Sequence, residues 1–421
     1  MMIKAVTGTR DILPTDIPKW KHLETIVESI FVKFNYKEIR TPIFEQTSLF
    51  ARGIGEATDI VSKEMYTFID RSGESLTLKP EMTAGVVRAF IEYSLEKKQN
   101  LNKLFYISPM FRQERPQAGR FRQFHQFGAE ALGCNDPLLD AEMIIMAYDI
   151  FVALGLKNLL VKINSLGVPS SREDYKKKLT EYLQPFFHKL SNESKKRFDA
   201  NILRIFDSKE EQDQKIIESA PLLIDHLDDQ SLLHFENVKQ ALTSSKIPFV
   251  IDPKLVRGLD YYTNTTFEIV SGSVGSQSAL CGGGRYDGLV KELGGANIPG
   301  VGFAAGIERI LLACENENSF ALKNDIIDIY LVTIEKGLEK FTYQTAVEMR
   351  RKGLIVEMDY LGRSVKAQMR EANKLNARFV LMIGGEELAK GEMILKNMSD
   401  GTQKIFLKAD LAKIFSSIKE N

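Results

Sequence analysis

The stretch 111–130 reads FRQERPQAGRFRQFHQFGAE. At strand period, Arg112 and Glu114 share one face of an incoming strand. After a turn at Pro116-Gln117-Ala118-Gly119, a returning strand sets Arg120, Arg122, Phe124, Gln126 and Glu130 on one face. Phe121, His125 and Phe127 fall on the other. One face is therefore rich in charge and the other is able to pack. Three arginines beside an aromatic ring suit a planar base carrying phosphates, because guanidinium forks match phosphate oxygens and also stack. The same pattern equally describes an amphipathic hairpin whose charged face is solvated, and the hairpin alone leaves both readings open.

Other stretches repeat the theme of arginine plus carboxylate. Lys79-Pro80-Glu81-Met82-Thr83 stands at a strand end, just before a helix from Ala84 to about Leu95. Glu81 and Thr83 are either site residues or the first-turn acid and hydroxyl that helices favour. Arg257-Gly258-Leu259-Asp260-Tyr261-Tyr262 and Glu308-Arg309 complete the set. No nucleophile–base pair accompanies them. Such a collection suits phosphoryl or nucleotidyl transfer through positioning and charge stabilisation rather than covalent catalysis. The glycines of Gly300-x-Gly302-x-x-x-Gly306 have the wrong spacing for a dinucleotide-binding fingerprint, and no βαβ unit precedes them. They suit close packing or close ligand approach. Cys134, Cys281 and Cys314 lie far apart, and the five histidines lack metal spacing, so neither a disulfide framework nor a structural metal site is indicated.

These residues need a scaffold. A chain of 421 residues suggests two or three domains, and 44% hydrophobic with 27% charged residues is a soluble globular composition. The formal net charge is zero, so nucleic-acid contact must come from local basic patches. The N-terminus lacks an apolar signal core and no stretch of ~20 apolar residues follows, which points to a cytoplasmic protein with no membrane span.

Thr15 or Asp16 can cap a helix in which Trp20, Leu23, Ile26, Val27, Ile30, Phe31 and Phe34 recur at helical spacing. That helix and the extended Tyr36–Phe44 segment either pack on the core or form a subunit interface. A hairpin over Tyr66–Lys79 turns at Arg71-Ser72-Gly73-Glu74. A helix over Leu138–Leu154, capped by Asp136, precedes a strand Leu159–Ser165. From Ser170 to about Ile247 strand signals vanish, lysines cluster at Lys176–Lys178 and Lys195–Arg197, and a helical insertion is expected. Its charges are either solvated or RNA-facing. Strand patterns return over Pro248–Gly272 and in SALCGGGRYDGLV and GVGFAAGIERI. A polar linker, Glu315–Asn324, leads to a βαβαβ alternation, a hairpin at Asp400-Gly401 and a last helix.

With these motifs in order, the chain resembles a class II histidyl-tRNA synthetase from end to end. FRQERPQAGRFRQF resembles the second class II signature and GVGFAAGIERI the third. The first helix followed by RTPIFEQ resembles the first, which in this class forms much of the dimer interface. LVRGLDYYT and GGGRYDGL resemble the two signatures particular to histidine enzymes.

The resemblance implies an α+β fold, with an antiparallel sheet flanked by helices as catalytic domain over 1–324, a helical insertion at about 170–247, and a C-terminal α/β anticodon-binding domain over 325–421. It implies L-histidine, ATP with Mg²⁺, and tRNA(His) as substrates, and a homodimer. Arg112 would hold the α-phosphate. Phe124 and Arg309 would sandwich the adenine, with Arg309 also reaching the terminal phosphate, and Glu114 would lie near the base. Glu81, Thr83 and Gln126 would bind the amino acid's ammonium and carboxylate. Glu130 and Tyr262 would hydrogen-bond the imidazole, with Tyr261 and Tyr286 lining the pocket, and Arg257 would stand beside the α-phosphate on the side of attack. Gln117 would point to the acceptor end of the tRNA, unless it is an ordinary exposed turn residue. A non-catalytic histidine-sensing paralogue of the same fold typically lacks the arginine of LVRGLDYY and the C-terminal domain, and a synthetase for another amino acid would not carry GGGRYDGL with the paired tyrosines.

Overall fold

Six strands pair antiparallel in the order 102–111, 123–132, 300–306, 279–285, 263–271 and 159–165. Two short edge strands, Lys37–Glu38 and Phe249–Ile251, join parallel at opposite ends, so the eight-stranded sheet is mixed. The computed structural model describes residues 2–55, 58, 60–115, 119–259, 261–277, 279–320 and 327–419. The readings placed on Gln117, Asp260 and the 324/325 boundary lie outside these residues. The chain divides into two units, Met1–Ala321 and Leu322–Asn421.

One face of the large sheet is apolar. Phe31, from the helix Ile17–Lys33, stacks on Phe105 with ring centroids 4.8 Å apart and meets Phe127 edge-on at 6.2 Å. Met143, Ile144, Ala147 and Ile150 of the helix Pro137–Ala153 fill the same core. Asp136 caps that helix by accepting from the Leu138 amide at 2.9 Å. The first helix has no such bond. Asp16 sits at its N-cap position with helical backbone and makes no capping contact, while a proline in the first turn presets the backbone instead.

The insertion is helical, with helices Pro169–Leu183, Asn192–Ala200, Glu211–Ile217 and Asp229–Ser244. Its core residues Tyr175, Leu179, Leu183, Ile205 and Ile217 run into one cluster with Tyr261, Tyr262 and Tyr286. The insertion is thus packed behind three tyrosines of the sheet domain.

The expected linker begins later than its polarity suggests. The helix Ile307–Asn316 runs through Glu315, and Glu317 accepts from the Lys157 amide at 2.8 Å and the Ser273 hydroxyl at 2.5 Å. These polar residues tie the chain down rather than free it.

The second unit has a five-stranded sheet in the order 356–358, 329–333, 379–383, 392–397 and 403–407. The first three strands are parallel, and the last two are antiparallel additions. Ile329 and Leu331 join one apolar cluster while Tyr330 and Val332 join another, so that strand is covered on both faces. A short helix, Gly385–Ala389, interrupts the expected pattern.

Candidate active site

A cavity of about 300 Å³ lies on the sheet face opposite the aromatic core. Its lining takes in Glu81, Thr83, Arg112, Glu114, Phe124, Gln126, Arg257, Tyr261, Tyr262, Tyr286 and Arg309, residues from five separate stretches of sequence. Glu130 lies beneath it, fully buried.

The two strands of the hairpin pair as the sequence pattern implies. Strand pairing runs to Phe111↔Gln123, and the Arg112 amide still donates across the hairpin to Arg122 O at 2.9 Å, while residues 116–118 of the expected turn lie outside the described residues. Beyond that bond the backbone also reaches distant segments. The Gln113 amide donates to Glu64 O at 2.7 Å and the Arg122 amide to Gly8 O at 2.7 Å. Arg122 donates to Thr7 O at 3.3 Å and to Glu114 O at 3.5 Å, and its side chain does not line the cavity. Phe121, expected on the packing face, lines the cavity under the Arg10 guanidinium, 5.0 Å from its ring centroid.

At the hairpin end, cations and one ring gather. Arg112 lies 5.4 Å over Phe124 and donates to the Pro80 carbonyl at 2.8 Å. Glu114 takes Arg120 at 3.1 Å, with Arg112 at 3.7 Å. Arg309, in the first turn of the helix Ile307–Asn316, donates to Ala279 O at 2.7 Å, and its Nε has no partner among the described residues. Burial and then the Arg120 charge push its pKa below the ordinary arginine value. A crowded guanidinium of this kind favours an anion beside it. The neighbouring Glu308 has a different task. Its carboxylate accepts from the His125 amide at 3.0 Å and faces His125 Nδ1 at 2.9 Å, tying the helix to the central strand.

At the far end the groups are carboxylates and phenols. Glu81 accepts from the Thr83 and Ala84 amides at 2.8 and 2.9 Å, capping the helix Thr83–Glu92. Glu81 stands before the helix rather than in its first turn, and the same residue also lines the cavity. The Thr83 hydroxyl donates to Glu130 Oε1 at 2.7 Å, and the Tyr286 hydroxyl donates to Oε2. Burial pushes the Glu130 carboxyl up to about 8, against these hydrogen bonds and with the help of the Glu81 charge. Tyr261 packs between Tyr262 and Tyr286, with ring centroids 4.7 and 5.6 Å away. Gln126 lines the wall with an Oε1 that has no partner among the described residues.

Arg257 spans the middle. It pairs with Glu268 and lies flat on the strand Ala279–Arg285 at Gly282, where an added Cβ would come within 2.3 Å of its guanidinium. Gly302 makes similar room for Glu130, whose Oε2 would be 1.8 Å from an added Cβ. The glycine-rich strands therefore permit close approach of side chains to backbone. Cys281 is also on the wall, but burial pushes its thiol up to about 12, so it is no nucleophile near neutral pH.

Three wall residues escape the sequence pattern: Phe121, Tyr106 and Glu268. For Tyr106 a signal exists, since it pairs across the strands with Gly128, and a strand glycine marks space for a neighbouring group.

A family model described as histidyl-tRNA synthetase matches residues 8–310, and one described as anticodon binding domain matches residues 328–421. A histidine–tRNA ligase from Halothermothrix orenii is 50% identical over 411 residues, covering 98% of this chain and 98% of that protein. One from Geobacillus thermodenitrificans is 49% identical over 406 residues, covering 96% and 95%. The crystal structure of apo S. aureus histidyl-tRNA synthetase matches with a TM-score of 0.83 at 38% identity, covering 98% of this chain and 100% of that one.

Proposed function

The chain belongs to the histidyl-tRNA synthetase family, and from that membership we propose that it activates L-histidine with ATP and passes the histidyl group to the 3′ end of tRNA(His). The observation that carries the reading is one cavity with guanidinium groups at one end and a carboxylate–phenol pocket at the other.

In this reading Arg112 holds the α-phosphate. Phe124 and Arg309 enclose the adenine, Arg309 extends to the terminal phosphate, and Glu114 lies near the base. Glu81, Thr83 and Gln126 take the ammonium and carboxylate of the amino acid. Glu130 and Tyr262 engage the imidazole, with Tyr261 and Tyr286 as walls. Histidine's own carboxylate attacks the α-phosphorus, so the protein supplies alignment and charge rather than a nucleophile. Arg257 and Arg112 offset the charge that grows as phosphorus becomes five-coordinate. Pyrophosphate leaves, and the terminal ribose hydroxyl of the tRNA then takes the acyl group from histidyl-adenylate.

In this reading ATP would be bound as its Mg²⁺ complex. An ion carried on the polyphosphate would reach the protein through one or two carboxylates. Glu114 and Glu268, two of the carboxylates that line the wall, would offer that contact. When bound, the ion neutralises charge on the departing pyrophosphate.

Selection follows from hydrogen bonding. Buried groups set to pair with both imidazole nitrogens are left unpaired by an apolar side chain, which disfavours it by roughly 10⁴-fold or more. Residues 1–324 serve as catalytic domain, the insertion at about 170–247 faces the acceptor arm, and residues 325–421 bind the anticodon. A homodimer through the RTPIFEQ region belongs to the same proposal, supported by Phe44 and Phe68, an edge-to-face pair 50% and 44% exposed. No described helix is long and apolar enough to cross a membrane, and a cytoplasmic setting is proposed.

Charging of tRNA(His) with labelled histidine tests the function. The expected result is ATP-dependent transfer of label to the tRNA. No transfer with ATP and Mg²⁺ present would overturn the reading.

A further inference from the structure

Arg285 is 0% exposed, a place where a guanidinium persists only if its donors are met. Its Nε donates to the Asp140 oxygens at 3.0 and 3.2 Å, and its Nη2 donates to the same carboxylate. Its Nη1 donates to Cys134 O and to Asp287 Oδ1, each at 3.1 Å. Asp140 is also 0% exposed, and its Oδ2 lies 2.7 Å from His234 Nε2. Three pieces of the fold meet there: the strand Ala279–Arg285, the helix Pro137–Ala153 behind the sheet, and Asp229–Ser244, the closing helix of the insertion. The residue after Arg285 is Tyr286, whose amide donates to Gly300 O at 2.7 Å and whose hydroxyl donates to Glu130. Consecutive residues on extended backbone point to opposite faces. The buried ion pair thus anchors one side of the strand end while Tyr286 serves the cavity on the other.

We propose that the His234–Asp140–Arg285 chain positions Tyr286 on Glu130, so that the closing helix of the insertion sets the affinity of the side-chain pocket. A buried ion pair adds little net stability over well-packed apolar residues, whereas it fixes geometry in both partners. Arg285 and His234 are positioning residues here, since neither lines the cavity. The inference rests on the reading of Glu130 and Tyr286 as the imidazole pocket.

The test is steady-state ATP–pyrophosphate exchange with the full chain, varying histidine and ATP separately. His234→Ala should raise the histidine KM by about tenfold, the scale of a misplaced binding group, and leave the ATP KM within about twofold. His234→Gln, whose amide can still donate to Asp140, should restore most of the loss. Asp140→Asn should act in the same direction. If it does not fold, His234→Ala carries the test alone, because His234 sits at the partly exposed end of the chain. Glu130→Gln is the control. A raised histidine KM in Glu130→Gln with wild-type values in His234→Ala would overturn this inference and leave the pocket reading intact. An unchanged histidine KM in Glu130→Gln would overturn both. Equal rises in the two KM values of His234→Ala would reduce the chain to a general structural role and overturn the inference.

Discussion

Glu130 joins stability to binding in a single group. Its folded pKa is raised from 4.5 to about 8, chiefly by burial. The folded state therefore holds a proton that the unfolded chain releases, and the sign follows. Stability from this group is fully present below about pH 4.5, and is lost as pH rises through about 8. The loss can reach about 5 kcal/mol, at 1.36 kcal/mol per pH unit. Glu130→Gln removes the titration. Urea unfolding between pH 5 and 8.5 should show wild-type stability falling relative to the variant, and parallel curves would refute the burial assignment. In exchange assays the same variant should raise the histidine KM far more than the ATP KM. Much of this was legible beforehand. Strand alternation puts Glu130 on the same face as Phe124 and Gln126, and the cavity lies on that face. The partners of Glu130 were not legible, because Thr83 and Tyr286 approach it from positions 47 and 156 residues away.

Strands and loops decide how those side chains are presented. Arg257→Ala should lower histidine-dependent exchange by roughly 10²–10³-fold, as loss of one preorganised charge-stabilising donor does. Gly282→Ala should imitate it. The atoms nearest an added Cβ there are all in the Arg257 guanidinium, at 2.3–2.5 Å, so a flexible side chain would swing away while the strand stays. Gly302→Ala differs, because its new Cβ would also meet the Ala129 carbonyl at 2.6 Å, and overpacking of that kind costs about 1–3 kcal/mol. Near-normal exchange by Gly282→Ala would contradict the placement of Arg257. Elements with their own local signals were readable. The strand Leu159–Ser165 matches its expected bounds, and Asp136 caps the following helix as its type and position imply. The backbone bonds of Gln113 and Arg122 were not readable, since their partners Glu64 and Gly8 are far away in sequence.

At the scale of the whole molecule, the two units have separate apolar cores. The alternation of strand and helix after residue 325 announced the second unit, although the five-residue helix Gly385–Ala389 is too short for periodicity to reveal. A chain ended near Asn324 should keep histidine-dependent exchange within a few-fold and charge tRNA(His) poorly. Unchanged charging by that truncation would remove the last domain from RNA binding. Both activities must come from local charge, because the formal net charge of the chain is zero.

The central claim is that one cavity both binds ATP and reads an imidazole. ATP–pyrophosphate exchange by the intact chain, measured against a panel of amino acids without tRNA, tests it most directly. The account predicts exchange with histidine and background rates with the others, including leucine, glutamine and phenylalanine. Comparable exchange with any of those three, or none with histidine, would contradict it.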